Sequence, residues 1–252
     1  MDPRQTSSAV LDYLKSGIES LVAEIQQEPA WRALTDPQTP GAAVRSIMSE
    51  IYAEIAAYQP DVIAATIAVI GEFPRSLNPK HVRAMLVHQA EEWDHGEMAA
   101  RDYVGLGGRE LDVRMGRWTP TAFATAAFWR MLAHKRMPFA YLGAIYLFEG
   151  LTPLVTGTIK GHLKAQGFRD TSLEYIEFHS TEDIRHAKVI DAMIRSVVEQ
   201  YPQRADEVKF GFDAFRQIYP LPGWRAAAAR ALALSERSES NGLVQRGSRV
   251  VA

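Results

Sequence analysis

Apolar residues recur every three to four positions along most of the chain, which is the period of an α-helix with one buried face. No run alternates apolar and polar residues in the way that a half-buried β-strand does. Turn residues separate the periodic segments, most clearly at Asn78-Pro79, Gly105–Gly108, Gly167 and Pro220–Gly223. The pattern therefore predicts an all-α protein. It places helices near residues 8–27, 42–72, 79–104, 119–135, 138–166, 170–200, 203–218 and 222–235. Within the second of these, Pro60 predicts a kink or a break.

A chain of 252 residues with 47% hydrophobic residues can bury a full core, and no feature of the pattern divides it. We therefore expect one helical domain over residues 1–235. The remaining residues, 236–252, are polar and predict a disordered tail.

Charge and composition exclude several classes of function. The 28 basic and 30 acidic residues nearly cancel, and no Lys/Arg stripe follows a helix, so we expect no nucleic-acid partner. The longest apolar runs, such as residues 62–70, are shorter than the roughly 20 residues of a membrane span. The N-terminus has no apolar signal core, so we predict a cytoplasmic protein without a membrane partner. The absence of cysteine excludes disulfides, thiolate zinc sites and a cysteine nucleophile.

Polar residues interrupt the apolar face of the predicted helix over 170–200. His179, Asp183 and His186 follow the spacing i, i+4, i+7, which places them on one side of a helix. Ile176 and Ile190 share that side, so the three polar side chains are expected to point inward. Imidazole and carboxylate groups on one buried face form a ready set of metal ligands.

The predicted helix over 79–104 repeats the pattern. His88, Glu92 and His95 have the same i, i+4, i+7 spacing, and Glu92 lies closer to the centre of the apolar face than its neighbour Glu91. Two such faces in one helical chain suggest a metal site between them.

A third acid lies in a very apolar segment, where Glu149 shares a face with Leu142 and Ile145. A lone buried carboxylate is costly unless it is paired, protonated or bound to metal. The negative charges of Glu92, Glu149 and Asp183 would nearly balance those of two divalent ions. Imidazole and carboxylate ligands without thiolate favour iron or manganese.

Helical bundles often build dinuclear carboxylate sites from paired Glu-x-x-His motifs. Glu92-x-x-His95 and Asp183-x-x-His186 form a comparable pair, and Glu149 is the expected bridging ligand. The alternative reading of the same residues is a salt-bridged helical core without metal.

At these residues the chain resembles the heme-oxygenase-like diiron oxidases. They belong to a superfamily that also includes thiaminase-type and pyrroloquinoline quinone synthesis proteins. The resemblance runs from about residue 47 to 194 and rests on His95, the Glu-Gly pair at Glu149, and the His-x3-Asp-x2-His run that begins at His179. Glu92-x-x-His95 is similar to the pattern of family members that decarboxylate fatty acids to terminal alkenes. The resemblance implies a heme-oxygenase-like bundle of about seven to eight helices.

The resemblance also implies a ligand set, with one departure. Many members carry Glu at the position that is His88 here, and others use an acid from the preceding helix, for which Glu54 is the candidate. The expected metal ligands are His88, Glu92, His95, Glu149, His179, Asp183, His186 and Glu54.

By resemblance, the protein is a nonheme iron-dependent oxidoreductase with two Fe(II) ions per chain and O2 as co-substrate. Its substrate is a small organic molecule, a fatty acid, amino acid or amine. The reaction is oxidative C–C cleavage, desaturation or N-oxygenation, and an electron donor and a homodimer are further expectations. An apolar substrate channel is one interpretation of Met85, Ile145, Tyr146, Phe148 and residues 123–129, and plain core packing is the interpretation favoured for most of them. The alternatives are a metal-binding or cofactorless protein like those of quinone synthesis, and a non-enzymatic helical interaction protein.

Overall fold

The computed structural model describes residues 2–233, and that part of the chain is helical without any strand, as predicted. Three single-turn 3-10 helices, Glu92–Asp94, Asp170–Ser172 and Pro202–Arg204, accompany the α-helices. The predicted tail, 236–252, lies outside the described residues. The α-helices are α1 (Pro3–Gln27), α2 (Pro29–Thr35), α3 (Gly41–Ile70), α4 (Pro79–Glu91), α5 (His95–Gly105), α6 (Glu110–Arg114), α7 (Pro120–His134), α8 (Pro138–Ala165), α9 (Glu174–His179), α10 (Glu182–Gln200), α11 (Ala205–Arg216) and α12 (221–233).

Local sequence signals account for several helix starts. Proline occupies the first turn of α4, α7 and α8. A backbone N–H at that position has no acceptor within the helix, so its absence in proline costs no hydrogen bond. Asn78 caps α4 by accepting the N–H of Lys80 at 3.0 Å, and Thr119 caps α7 by accepting the N–H of Ala122 at 3.1 Å.

Helix α8 lies at the centre of the bundle and packs against α1, α9, α10 and α11. Two glycines bring α8 and α11 into backbone contact. A Cβ atom on Gly143 would lie 1.8 Å from the carbonyl oxygen of Val208, and one on Gly211 would lie 1.8 Å from that of Ala140. On the other side, α3 packs against α4, α5 and α7. The space between these two layers holds the candidate ligands.

Helices α3 and α8 are long and apolar enough to cross a membrane by length and composition. In their most apolar windows, however, 67% and 72% of the residues are buried by the rest of the protein. Their apolar surface is therefore the core of the bundle, in keeping with a protein that does not need lipid to cover it.

Two predicted helices are each divided in the structure. The 3-10 turn Glu92–Asp94 separates α4 from α5, and Ser180 and Thr181 separate α9 from α10. The hydroxyl of Ser180 donates to the carbonyl of Glu177 at 2.8 Å, and that of Thr181 to Phe178 at 3.0 Å, so side chains compete there with helix bonds. The short helices α2 and α6 are not among the predicted elements. The break considered at Pro60 does not occur, because α3 continues through it.

Candidate metal centre

Two pairs of neighbouring helices and one single helix supply the candidate ligands. The chain from α4 to α5 carries His88, Glu92 and His95, α8 carries Glu149, and the chain from α9 to α10 carries the remaining three. All seven side chains are at most 4% exposed. They are His88, Glu92, His95, Glu149, His179, Asp183 and His186.

Four of these residues form a first group. One ligand atom from each of His88, Glu92, Glu149 and His186 lies within 4.8 Å of the others. His88 Nε2 is 3.2 Å from Glu149 Oε1 and 3.7 Å from Glu92 Oε1. His186 Nδ1 is 3.4 Å from Glu92 Oε1 and 3.4 Å from Glu149 Oε2. Two imidazole nitrogens and two carboxylates therefore converge on one point.

Glu92, His95 and His179 form a second group. His95 Nδ1 lies 2.6 Å from Glu92 Oε2 and 3.1 Å from His179 Nε2. Glu92 thus turns Oε1 to the first group and Oε2 to the second. The expected bridging ligand was Glu149, but both of its oxygens contact only the first group. The shared carboxylate is Glu92.

The donor atoms that face the centre lack hydrogen bonds. Buried side-chain atoms without a partner include His88 Nε2, Glu92 Oε1, Glu149 Oε2, Asp183 Oδ1 and His186 Nδ1. Leaving a buried polar atom unpaired costs about 1–3 kcal/mol. A cation bound among them would satisfy several of these atoms at once, and the mixture of imidazole and carboxylate suits iron. The residues present therefore fit an iron site.

Residues 52–219 match a protein family described as iron-containing redox enzymes. The match spans more than half of the chain and includes all seven clustered residues. The chain belongs to this family of iron-containing redox enzymes. Membership supports a role as an oxidoreductase.

Solved structures show the fold that the sequence predicts. A domain of unknown function with a heme oxygenase-like fold from Shewanella denitrificans OS217 is 19% identical, covers 94% of this chain and 95% of its own, and has a TM-score of 0.66. A TenA homolog from Pseudomonas syringae pv. tomato str. DC3000 is 12% identical, covers 88% and 92%, and has a TM-score of 0.68. The heme-oxygenase-like fold is therefore confirmed. No curated protein matches the chain.

Two histidines of this iron-containing redox enzyme are oriented by partners outside the centre. His179 Nδ1 donates to the carbonyl of Tyr175 at 2.7 Å, which leaves the unprotonated Nε2 facing His95, as a metal ligand would require. His186 Nε2 lies 3.0 Å from Glu91 Oε2, and Glu91 also pairs with Arg185 at 2.7 Å. Helical spacing predicts neither the contact of Glu91 with His186 nor that of the Tyr175 carbonyl with His179.

Without metal, charge in the cluster is balanced by protons. Burial would lower the pKa of His88 and His186, but the Glu149 carboxylate outweighs it and raises both. Conversely, burial would raise the pKa of Glu149, and the two imidazoles hold it well below its usual range. Burial raises the pKa of Asp183 strongly, and the charges of Glu149 and Glu92 add to the effect. These ion pairs are what the alternative of a metal-free core requires.

The structure does not bring Glu54 to either group. Its Oε1 accepts hydrogen bonds from Thr119 at 2.8 Å, Thr121 at 2.6 Å and Arg230 at 2.6 Å. Glu54 therefore joins α3 to the start of α7 and to α12. The prediction of Glu54 as a ligand is corrected, because Glu54 lies in neither group of donors and its Oε1 accepts three hydrogen bonds elsewhere.

An apolar cavity of about 50 Å³ lies between α3, α8, α9 and the segment after α11, and one of its wall residues, Tyr175, stacks on His179 of the centre. Ile55 and Val155 contribute apolar walls, and Thr152, Tyr175 and Tyr219 contribute side chains with hydroxyl groups. No charged residue of the described chain lines it.

Two tyrosines of the cavity wall have raised pKa values. Burial raises the pKa of Tyr175 and Tyr219, and the charge of Asp183 raises both further. None of the residues predicted for an apolar channel lines this cavity, and Met85, Ile145 and Phe148 are buried in the core. Phe148 instead stacks on Tyr219, with ring centroids 5.1 Å apart.

Proposed function

We propose that the chain is a nonheme diiron oxidoreductase that uses O2 to oxidise a small organic substrate. The single observation that carries the proposal is Glu92, whose two oxygens face two separate groups of buried donors. The family of iron-containing redox enzymes supports iron as the metal.

The first group would hold one iron through His88, Glu92, Glu149 and His186. The second would hold the other through Glu92, His95 and His179. Asp183, whose Oδ1 lies 3.7 Å from His186 Nδ1 and has no hydrogen bond, is a further ligand available to the centre. When bound, the irons supply the redox chemistry toward O2.

The rest of the site positions a substrate and excludes water. The apolar cavity is the space available beside the centre, and its walls carry no ion to pair with an ammonium or a carboxylate group. A free amino acid would bring both charges and find no partner on the wall. We therefore favour a substrate with an apolar body whose single polar head faces the irons. A fatty acid would fit only if the cavity of about 50 Å³ widened, since pockets for molecules of that size hold roughly 300 Å³ or more.

The test compares substitutions at two buried acids of this protein, Glu92 in the centre and Glu54 outside it. Protein purified without oxygen is reconstituted with Fe(II), and bound iron and O2 consumption are measured for wild type, Glu92→Gln and Glu54→Gln. We expect about two irons per chain in wild type and retention of both in Glu54→Gln. Glu92→Gln should lose iron from both positions and should not consume O2. Equal iron content in all three proteins would overturn the proposal.

A metal-free helical core is the second candidate, supported by the pairing of His88 and His186 with Glu149. It makes a different prediction for chelation. If iron binds, a chelator should lower the melting temperature of the reconstituted protein, since metal binding stabilises only the folded state. An unchanged melting temperature, together with no bound iron, would favour the metal-free core.

A further inference from the structure

Asp102 is a fully buried acid outside the two groups of donors. It lies on α5, seven residues after His95, and therefore on the same face of that helix. Its Oδ1 accepts the N–H of Glu174 and its Oδ2 accepts the N–H of Tyr175, each at 2.9 Å. These are the first two residues of α9, where helix N–H groups have no partner within the helix.

The second of these bonds leads directly to the centre. The carbonyl of Tyr175 accepts the Nδ1 proton of His179 at 2.7 Å. The ring of Tyr175 stacks on the His179 imidazole, with ring centroids 3.8 Å apart. The Tyr175 backbone thus binds Asp102 through its N–H and His179 through its carbonyl. The orientation of His179 depends on where this one residue is held.

Helix α9 needs such an anchor because it has only six residues. Helices this short are not stable on their own and take their position from tertiary contacts. Asp102 and His95 both lie on α5. Helix α5 therefore provides one imidazole of the second group and also anchors α9, which carries the other imidazole, His179. The two ring nitrogens, His95 Nδ1 and His179 Nε2, lie 3.1 Å apart.

We propose that Asp102 is a positioning residue of the metal centre. Its carboxylate caps α9 and, through Tyr175, holds His179 with the proton on Nδ1 and with Nε2 facing Glu92 and His95. The inference rests on the proposed function, since it takes His179 to be a metal ligand.

Two neighbouring contacts provide matched controls. Arg101 on α5 pairs with Glu174 on α9 at 2.7 Å, but both side chains are about half exposed. Glu174→Gln weakens that tether without touching the bonds from Asp102 to the backbone. Tyr175→Phe keeps the backbone bonds and the ring that stacks on His179.

The test variant is Asp102→Asn. An asparagine in this position still accepts one N–H, but its amide group places a donor against the other. If Asp102→Asn does not fold, Asp102→Ser removes the carboxylate without that donor conflict and carries the same expectation.

Two measurements separate positioning from general stability. The first is the histidine tautomer in metal-free protein, read by long-range proton–nitrogen NMR on 15N-histidine-labelled samples. His179 should be a single Nδ1–H tautomer in wild type and in both controls, and a mixture in Asp102→Asn. The second is Co(II) titration followed by its visible spectrum, where Asp102→Asn should bind one of two ions about tenfold more weakly.

A single Nδ1–H tautomer in Asp102→Asn, with Co(II) affinities within about twofold of wild type, would overturn the inference. An equal loss in Glu174→Gln would also overturn it, because any loosening of α9 would then suffice. If wild type binds no metal while the His179 tautomer still depends on Asp102, the positioning contact is supported and the proposed function fails.

Discussion

The charge on Asp102 should reduce the stability of the metal-free protein, although the same carboxylate caps α9. Burial raises the pKa of Asp102 to about 6 from 3.8, and the two backbone N–H groups only partly offset this. The folded state therefore holds its proton at a higher pH than the unfolded state does. Stability from this group is present below pH 4 and is lost as pH rises through about 6.

The size of the effect follows from the shift. About two pKa units correspond to at most about 3 kcal/mol. We expect about 2 kcal/mol of this between pH 4 and pH 7, because Asp102 of the unfolded chain is already more than half ionised at pH 4.

The assay is urea unfolding of metal-free wild type and Asp102→Asn at several pH values between 4 and 8. Other titrating groups cancel in the difference between the two proteins, provided that they do not couple to residue 102. Wild type should lose about 2 kcal/mol relative to the variant between pH 4 and pH 7. A difference that does not change with pH would refute the reasoning.

Three further predictions concern the centre, the helix packing and the cavity. Metal binding near neutral pH should release protons, since Asp183 holds its proton in the metal-free protein and a ligand must give it up; calorimetry in buffers of different ionisation enthalpy would detect this, and no release would contradict it. Gly211→Ala should cost more than about 2 kcal/mol in urea unfolding because its Cβ meets the Ala140 carbonyl, whereas Gly157→Ala, with open space, should not destabilise the protein. Val155→Phe should fill the cavity, so that substrate-dependent O2 uptake falls while iron content stays at the wild-type level.

Much of the candidate site follows from helical spacing. Seven of the eight predicted ligands are buried and lie close together, because a polar residue on an apolar face has nowhere to point but inward. Glu54 is also buried on an apolar face, but it does not join the other candidate ligands. Arg230 pairs with its charge and the threonines at the start of α7 donate hydrogen bonds to it. Sequence spacing alone does not reveal partners from helices so distant in the chain.

The sequence predicts some helix boundaries and misses others. The starts of α4, α7 and α8 are set by local proline and capping chemistry, so they agree with the prediction within a residue or two. The interruptions within the predicted helices over 79–104 and 170–200 have no proline or glycine at the break. At the second break the hydroxyls of Ser180 and Thr181 bond to nearby carbonyls, a competition that hydrophobic periodicity does not show.

The interruption after α4 has a chemical consequence. It falls in the 3-10 turn that begins at Glu92, next to Glu91 at the end of α4. From there Glu91 reaches Nε2 of His186 at 3.0 Å and Glu92 lies 3.4 Å from Nδ1 of the same ring. Two adjacent acids thus contact both nitrogens of one imidazole, the outer acid as its hydrogen-bond partner and the inner acid as a co-ligand. Within the same turn Glu92 Oε2 lies 2.6 Å from Nδ1 of His95, three residues on. Glu92, rather than Glu149, is therefore the carboxylate that belongs to both groups.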